Sequence, residues 1–319
     1  MLLIGLDEAG YGPLLGPLVV GAAALRTEGP VGDLRARLGG LVARAEEGRR
    51  RRGTEDAARP VVIDDSKAVK ERHGLPGLAR GVKAFVAAAG HAEPDDLGDW
   101  LARFGDRPAE AFGGEPWFAA LGEEPLPAAD VPSDLRARWL LTGVDPLTLL
   151  VSPALPAELN AAWRAADNKA RVLFLATSTL LVQLLETYPG EDAEVRLDRQ
   201  GGRLDYGDLL RESFPFHGIE RERAPRGTSI YVLQHAGRTV RLTFQTRGDA
   251  EHLEVGLASM AAKLTRELFM ARLNAWFCAR EPGLRPTAGY VEDGRRWLRD
   301  AATVLHAQNI DPARLVRTR

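Results

Sequence analysis

Ile4-Gly5-Leu6-Asp7-Glu8-Ala9-Gly10-Tyr11-Gly12-Pro13-Leu14-Leu15-Gly16-Pro17-Leu18-Val19-Val20 is apolar at both ends, acidic where the first apolar run stops, and rich in Gly and Pro between. The first run, Leu2 to Leu6, halts at two adjacent carboxylates, and the glycines and prolines force a reversal before a second run from Leu18 to Leu25. That pattern predicts a β-hairpin with acids at its mouth. Asp and Glu are poor strand formers, so a pair of them closing a buried strand calls for a role. A hard cation such as Mg²⁺, which takes carboxylate oxygens, supplies one; two solvated side chains at a strand end are the plain alternative.

Acids recur at comparable places further along. Pro60-Val61-Val62-Ile63 reads as a short strand running into Asp64-Asp65-Ser66-Lys67, and Glu194 to Asp198 as another, followed by the turn Gln200-Gly201-Gly202. Ser229 to Gln234 and Arg238 to Gln245 alternate with period two around His235-Ala236-Gly237, a second hairpin. It hands over at Arg247-Gly248-Asp249-Ala250 to a helix with Leu253, Leu257, Met260, Leu264 and Leu268 on one apolar face and Lys263 and Arg266 projecting elsewhere. Other helices are expected over Leu75 to Ala89, over Leu159 to Tyr188 with Asp167-Asn168-Lys169 as an entry turn, and around Trp297, Leu298, Ala301 and Leu305. Strands that cluster early and mid-chain, each cluster followed by helices, predict an α/β fold, a mixed sheet with helices on its faces, in one domain spanning 1–319. Two stretches read as excursions: 26–59, a loop with one short helix that includes Arg49-Arg50-Arg51-Arg52, and 91–157, an inserted lid or subdomain with scattered Trp100, Phe104, Phe112, Trp117 and Phe118.

Composition narrows the chemistry. With 45% hydrophobic and 27% charged residues the chain reads as soluble and globular. No uninterrupted apolar run reaches the roughly eighteen residues a bilayer span needs, and the first residues lack a basic leader, so the expected setting is the cytoplasm with no membrane partner. A formal charge of −2 leaves any polyanion contact to a local patch. The six histidines show no zinc spacing, the single Cys278 beside Trp276 and Phe277 reads as packing, and no nucleophile elbow or Walker A loop occurs. Carboxylates remain: Asp7, Glu8, Asp198 and Asp249, with Asp205 in reserve for the third. Gathered at one sheet edge they would repel one another unless cations neutralised them. Two Mg²⁺ ions about 4 Å apart in such a cluster activate water and stabilise the leaving oxygen in phosphodiester hydrolysis.

The motif series Asp7-Glu8-Ala9-Gly10-Tyr11-Gly12-Pro13 with Gly16-Pro17-Leu18-Val19-Val20, then Asp65-Ser66-Lys67, then Ala258-Ser259-Met260-Ala261-Ala262-Lys263-Leu264-Thr265-Arg266, then Ala288-Gly289-Tyr290, resembles that of type 2 ribonucleases H (ribonuclease HII). The resemblance implies a ribonuclease H-like mixed five-stranded sheet flanked by helices, with inserted segments at about 26–59, 91–157 and 205–240. It implies Mg²⁺- or Mn²⁺-dependent cleavage, with two ions, of the RNA strand in RNA/DNA hybrids or of a ribonucleotide within DNA. Carried over by position, Asp7, Glu8, Asp198 and Asp249 are the catalytic and metal-holding acids. Gly10, Tyr11, Gly12, Ser66, Lys67, Lys263 and Tyr290 are the substrate-binding positions, with Tyr290 stacking on the sugar whose 2′-OH marks RNA. Three positions depart from the family pattern: Tyr11 stands where it usually has Arg, Asp198-Arg199 where it has Asp-Gly, and Thr287-Ala288 where it commonly has His-Lys. A ribonuclease H-like nuclease acting on other DNA or RNA structures, and a non-catalytic nucleic-acid-binding protein on the same fold, are the competing expectations.

Overall fold

The computed structural model describes residues 1–29, 31–47, 59–166 and 168–318; the arginine run Arg49 to Arg52 and Asp167 lie outside the described residues. Strand β1 (Leu2–Ala9) is buried on both faces: Leu2, Ile4 and Leu6 join one apolar cluster and Leu3 and Ala9 the other. It pairs antiparallel with β2 (Leu18–Thr27), placing Asp7 opposite Gly21 and Glu8 opposite Val20. A small parallel pair follows, β3 (Val42–Ala43) and β4 (Val61–Val62). The remaining strands are β5 (Val144–Ala154), β6 (Ala193–Asp198), β7 (Gly218–Glu222), β8 (Ser229–His235) and β9 (Arg238–Gln245), and the main sheet runs β5-β2-β1-β6-β9-β8-β7. β1, β6 and β9 run parallel to one another while the other pairs are antiparallel. Three parallel strands therefore finish at the same edge, and Asp7-Glu8, Asp198 and Gly248-Asp249 all fall there.

The sheet is mixed and flanked by helices, as the sequence predicts; it has seven strands, because β8 and β7 continue it beyond β9. One face is covered by the helix Leu253–Cys278, which lies directly on β1 and β2. A Cβ on Gly5 would sit 2.2 Å from the Glu254 carbonyl carbon, and one on Gly21 would sit 2.3 Å from Ala258 O, so only glycine permits that approach. This helix is buried nearly all round rather than along one stripe, and Arg266, expected to project away, is 1% exposed. The other face is covered by Lys169–Thr187. Asn168 caps it by accepting from the amides of Ala170 and Arg171, and a separate helix, Pro156–Ala166, precedes it. At 19 residues it is long and apolar enough to cross a bilayer, but Leu173, Phe174, Leu180, Leu181 and Leu184 pack into the sheet's apolar cluster, which makes it a core helix.

Two expectations need correction. The segment 91–157 is not a lid: its end is β5, which pairs with β2 along nearly its full length, and Trp100, Phe104, Phe112, Trp117 and Phe118 are all buried in the main core. Phe112 and Phe118 each meet the Phe269 ring at 5.0 Å, and Trp100 Nε1 donates to Thr265 Oγ1 at 2.9 Å. Several of these aromatics sit on short 3₁₀ turns, which is why they show no helical or strand period. The helix expected from Leu75 begins at Ser66, capped by the Asp65 carboxylate, and runs to Ala88 past an interruption at Gly74.

Candidate active site

Asp7 lies on the face of β1 covered by the long helix, whose Ser259 hydroxyl pulls the Asp7 pKa down and shares a hydrogen bond of 2.9 Å with the Ser66 hydroxyl. The helix contact that Gly5 and Gly21 permit thus places Ser259 over Asp7, and Ser66 is tied to the same point. Asp7 and Glu8 keep a partly open edge to solvent, yet loss of water is the largest cause of their raised pKa values. Burial, the Glu8 charge and the Asp249 charge push Asp7 well above the usual carboxylate range. Burial and the charges of Asp198 and Asp249 push Glu8 up to about 7, against the pull of Lys67. Asp249 is pushed up to about 6 by burial and by Asp65 and Asp198, again opposed by Lys67. Asp198 accepts from the Gly248 amide at 3.2 Å, which ties the end of β6 to the turn carrying Asp249.

Neighbouring carboxylates thus add to burial in raising Asp7, Glu8 and Asp249, and Lys67 pulls against them at Glu8 and Asp249. Among the described residues no three His, Cys, Asp or Glu side chains converge on one point. Hard oxygen donors whose mutual repulsion raises their proton affinity fit Mg²⁺ or Mn²⁺ in chemistry. Asp205, the reserve acid, is elsewhere: its carboxylate accepts from the Gly207 amide and the Tyr231 hydroxyl, both at 2.9 Å, and pairs with Arg221 at 3.2 Å. These bonds hold its pKa below the ordinary value, and it belongs to the β7–β8 framework.

The expected substrate contacts divide. Gly12 is exposed with open space around it, Tyr11 lies close enough to Glu8 to feel its charge, and Tyr290 is 52% exposed at the start of the helix Val291–Asp300. Gly10 has φ 90° and a Cβ there would meet Arg266 Nε at 2.5 Å, so its glycine serves the loop's fit to the protein. Ser66 is buried against Ser259. Lys263 is nearly buried and pairs with Glu267 at 3.0 Å, alongside Lys70 at 2.6 Å, so its charge is already answered. Sequence reasoning missed Asp65 as a contributor to the field at Asp249, Ser259 as the partner of Asp7, and Arg317 beneath the loop. Ser259 stood inside a quoted motif; Arg317 carried no signal, since only the folded chain brings it to the N-terminal hairpin.

No protein-family model matches the chain, and no curated protein matches it in sequence. Among solved structures, all of it aligns with 95% of a chain in the PCNA:RNase HII complex from Archaeoglobus fulgidus, at 15% identity and a TM-score of 0.42. It aligns over 99% of its length with 92% of ribonuclease H2 from Pyrococcus horikoshii, at 14% identity and a TM-score of 0.41. It aligns over 99% of its length with 66% of Bst-RNase HIII in complex with Mn²⁺, at 14% identity and a TM-score of 0.42.

Proposed function

We propose that the chain is a divalent-metal-dependent endonuclease that hydrolyses the RNA strand of RNA/DNA hybrids, or a ribonucleotide embedded in DNA, leaving 3′-OH and 5′-phosphate ends. What supports this reading is that the parallel strands β1, β6 and β9 bring Asp7, Glu8, Asp198 and Asp249 to one sheet edge, where burial and neighbouring carboxylates raise the proton affinity of Asp7, Glu8 and Asp249. These four residues would hold Mg²⁺ or Mn²⁺. A pair of such ions would supply an activated water and positive charge at the leaving oxygen. Lys67, which acts on both Glu8 and Asp249, is placed to meet a phosphate brought to the acids. Ser259 favours the ionised form of Asp7, and the exposed Tyr290 ring and the open rim at Gly12 offer a stacking face and a close backbone approach.

Tyr11 puts a partly buried phenol, with no fixed charge, on the loop beside Glu8, which favours as second reading the same metal chemistry on another nucleic-acid structure. Duplexes carrying one ribonucleotide, a full RNA/DNA hybrid, all-DNA and all-RNA, each incubated with Mg²⁺, separate the two: the first reading expects cleavage of the single-ribonucleotide duplex and the hybrid, and of neither the all-DNA nor the all-RNA duplex. Asp7→Asn, nearly isosteric but a poorer ligand for a hard cation, is expected to abolish cleavage without unfolding the protein; unchanged cleavage would refute the assignment.

A further inference from the structure

Beneath the Gly10–Gly16 loop lie two guanidiniums with little negative charge to answer them. Arg317 is 3% exposed; its Nε and Nη2 donate to Gly16 O at 2.9 and 2.6 Å, and Nη1 donates to Gly10 O. Arg266 donates through Nη2 to Leu15 O at 3.3 Å and Ala288 O at 3.1 Å, while its buried Nε has no partner. The carboxylate nearest Arg266 is Glu267, at 3.9 Å, which already serves Lys70 and Lys263. Among the described residues no carboxylate pairs with Arg317, and burial together with the Arg266 charge brings its pKa down to about 9.

Neutral carbonyls orient a guanidinium but leave its charge in place, and a buried charge without a counter-ion is costly. Nor can Arg317 swing out. The Arg317 amide donates to Leu14 O at 2.9 Å, Val316 bridges to Leu15, and Asn160 holds the segment through Val316 O at 2.7 Å and the Thr318 amide at 2.7 Å. The loop is seated closely on what lies below it: a Cβ on Gly10 would lie 2.5 Å from Arg266 Nε, and one on Gly16, at φ 81°, 2.2 Å from Met270 Sδ. Above it, Gly12 and Tyr290 face solvent.

We propose that Arg317, seconded by Arg266, is a positioning residue for the nucleic-acid backbone: it holds the Gly10–Gly16 loop in shape and supplies from below the positive charge that draws a phosphate onto the loop's exposed rim. This rests on the nucleic-acid reading above. It explains how a chain of net charge −2 presents a local attraction for a polyanion beside an acidic cluster.

The test is anisotropy of a short fluorescein-labelled RNA/DNA hybrid, without divalent ions and across a salt series, with wild type, Arg317→Gln and Arg317→Lys. Loss of charge in Arg317→Gln is expected to weaken binding about tenfold at low salt and to reduce the salt slope by about one. Arg317→Lys, which keeps the charge and loses the fork, is expected to recover most of the affinity, and inorganic phosphate to compete less well against the Gln variant. In turnover the Gln change is expected in KM, with kcat within about twofold. Wild-type binding and salt slope in Arg317→Gln would overturn the proposal, as would equal losses in Gln and Lys that follow a shared drop in melting temperature. A wild type that binds the hybrid without cutting it, with the Arg317 effect present, refutes the nuclease reading and leaves this one standing; cutting with no Arg317 effect does the reverse.

Discussion

Strand β6 carries Arg196 and Asp198 on one face, two residues apart, and the two side chains meet opposite fates. Arg196 Nη1 donates to Glu254 Oε1 at 2.9 Å and lies 3.2 Å from His252 Nδ1; Glu254 is wholly buried, its charge answered by Arg196 at Oε1 while Oε2 has no hydrogen-bond partner. Asp198 faces Glu8 and Asp249, and its bonded neighbour is the Gly248 amide. Both regions are partly withdrawn from water, yet one is closed within the protein and the other is left with excess negative charge. Closed pairs hold a fold in register, whereas like charges collected at a cleft edge mark a place where something of opposite charge is meant to bind.

The contrast can be broken at either end. The largest expected effect is on turnover: under the proposed function Asp249→Asn is expected to lower kcat by about 10³-fold or more, since the metal pair it would help to hold would supply several kcal/mol of transition-state stabilisation, while the metal-free protein melts no lower than wild type because a repulsion has been removed. At the closed end the order reverses. Arg196→Met leaves Glu254 buried and unpaired and is expected to cost about 3–5 kcal/mol in urea denaturation, with cleavage reduced only as far as the folded fraction falls.

The pH dependence separates the two ends by sign. Glu8 ionises near pH 7 in the folded chain and near 4.5 when unfolded, so its contribution is fully present below 4.5 and is lost as pH rises through 7. The loss is at most on the order of 3 kcal/mol, and Glu8→Gln is expected to flatten that limb of a stability–pH curve. His252, pushed down to about 4 by burial and by Arg196, acts the other way: stability present above about 6.5 is lost as pH falls toward 4. The smallest change is Asp205→Asn, expected to cost less than about 1 kcal/mol at its exposed site and to leave cleavage untouched; a large loss of cleavage would move the third acid from Asp198 to Asp205.

What the sequence made legible was the part where local pattern and tertiary role agree. The hairpin of β1 and β2 was readable because apolar runs end abruptly at acids and glycines. The strand before Gln200-Gly201-Gly202 and the long helix after Asp249 were readable for similar reasons. β5 was hidden by Pro146 and Pro153, residues that argue against a strand except at a sheet edge, which is where it lies, with a register shift opposite Ala24 and Leu25. β7 offers one apolar residue, Ile219, among Gly and charged neighbours, and its pairing with β8 is what makes it a strand. At the site, what the sequence lacked was register: Leu197 pairs with Leu6, which brings the end of β6 alongside the end of β1, whereas Asp205 is held by Gly207, Tyr231 and Arg221. Arg266 was misjudged because a helical face says where a side chain points, not that a loop from the other end of the chain will cover it.

The most direct measurement is a calorimetric titration of Mn²⁺ into the metal-free wild type and into Asp7→Asn at neutral pH. The account predicts saturable binding by the wild type, accompanied by a rise in melting temperature, and weak or absent binding by the variant. Equal binding by both proteins, or none by a wild type that still cleaves nucleic acid, would contradict it.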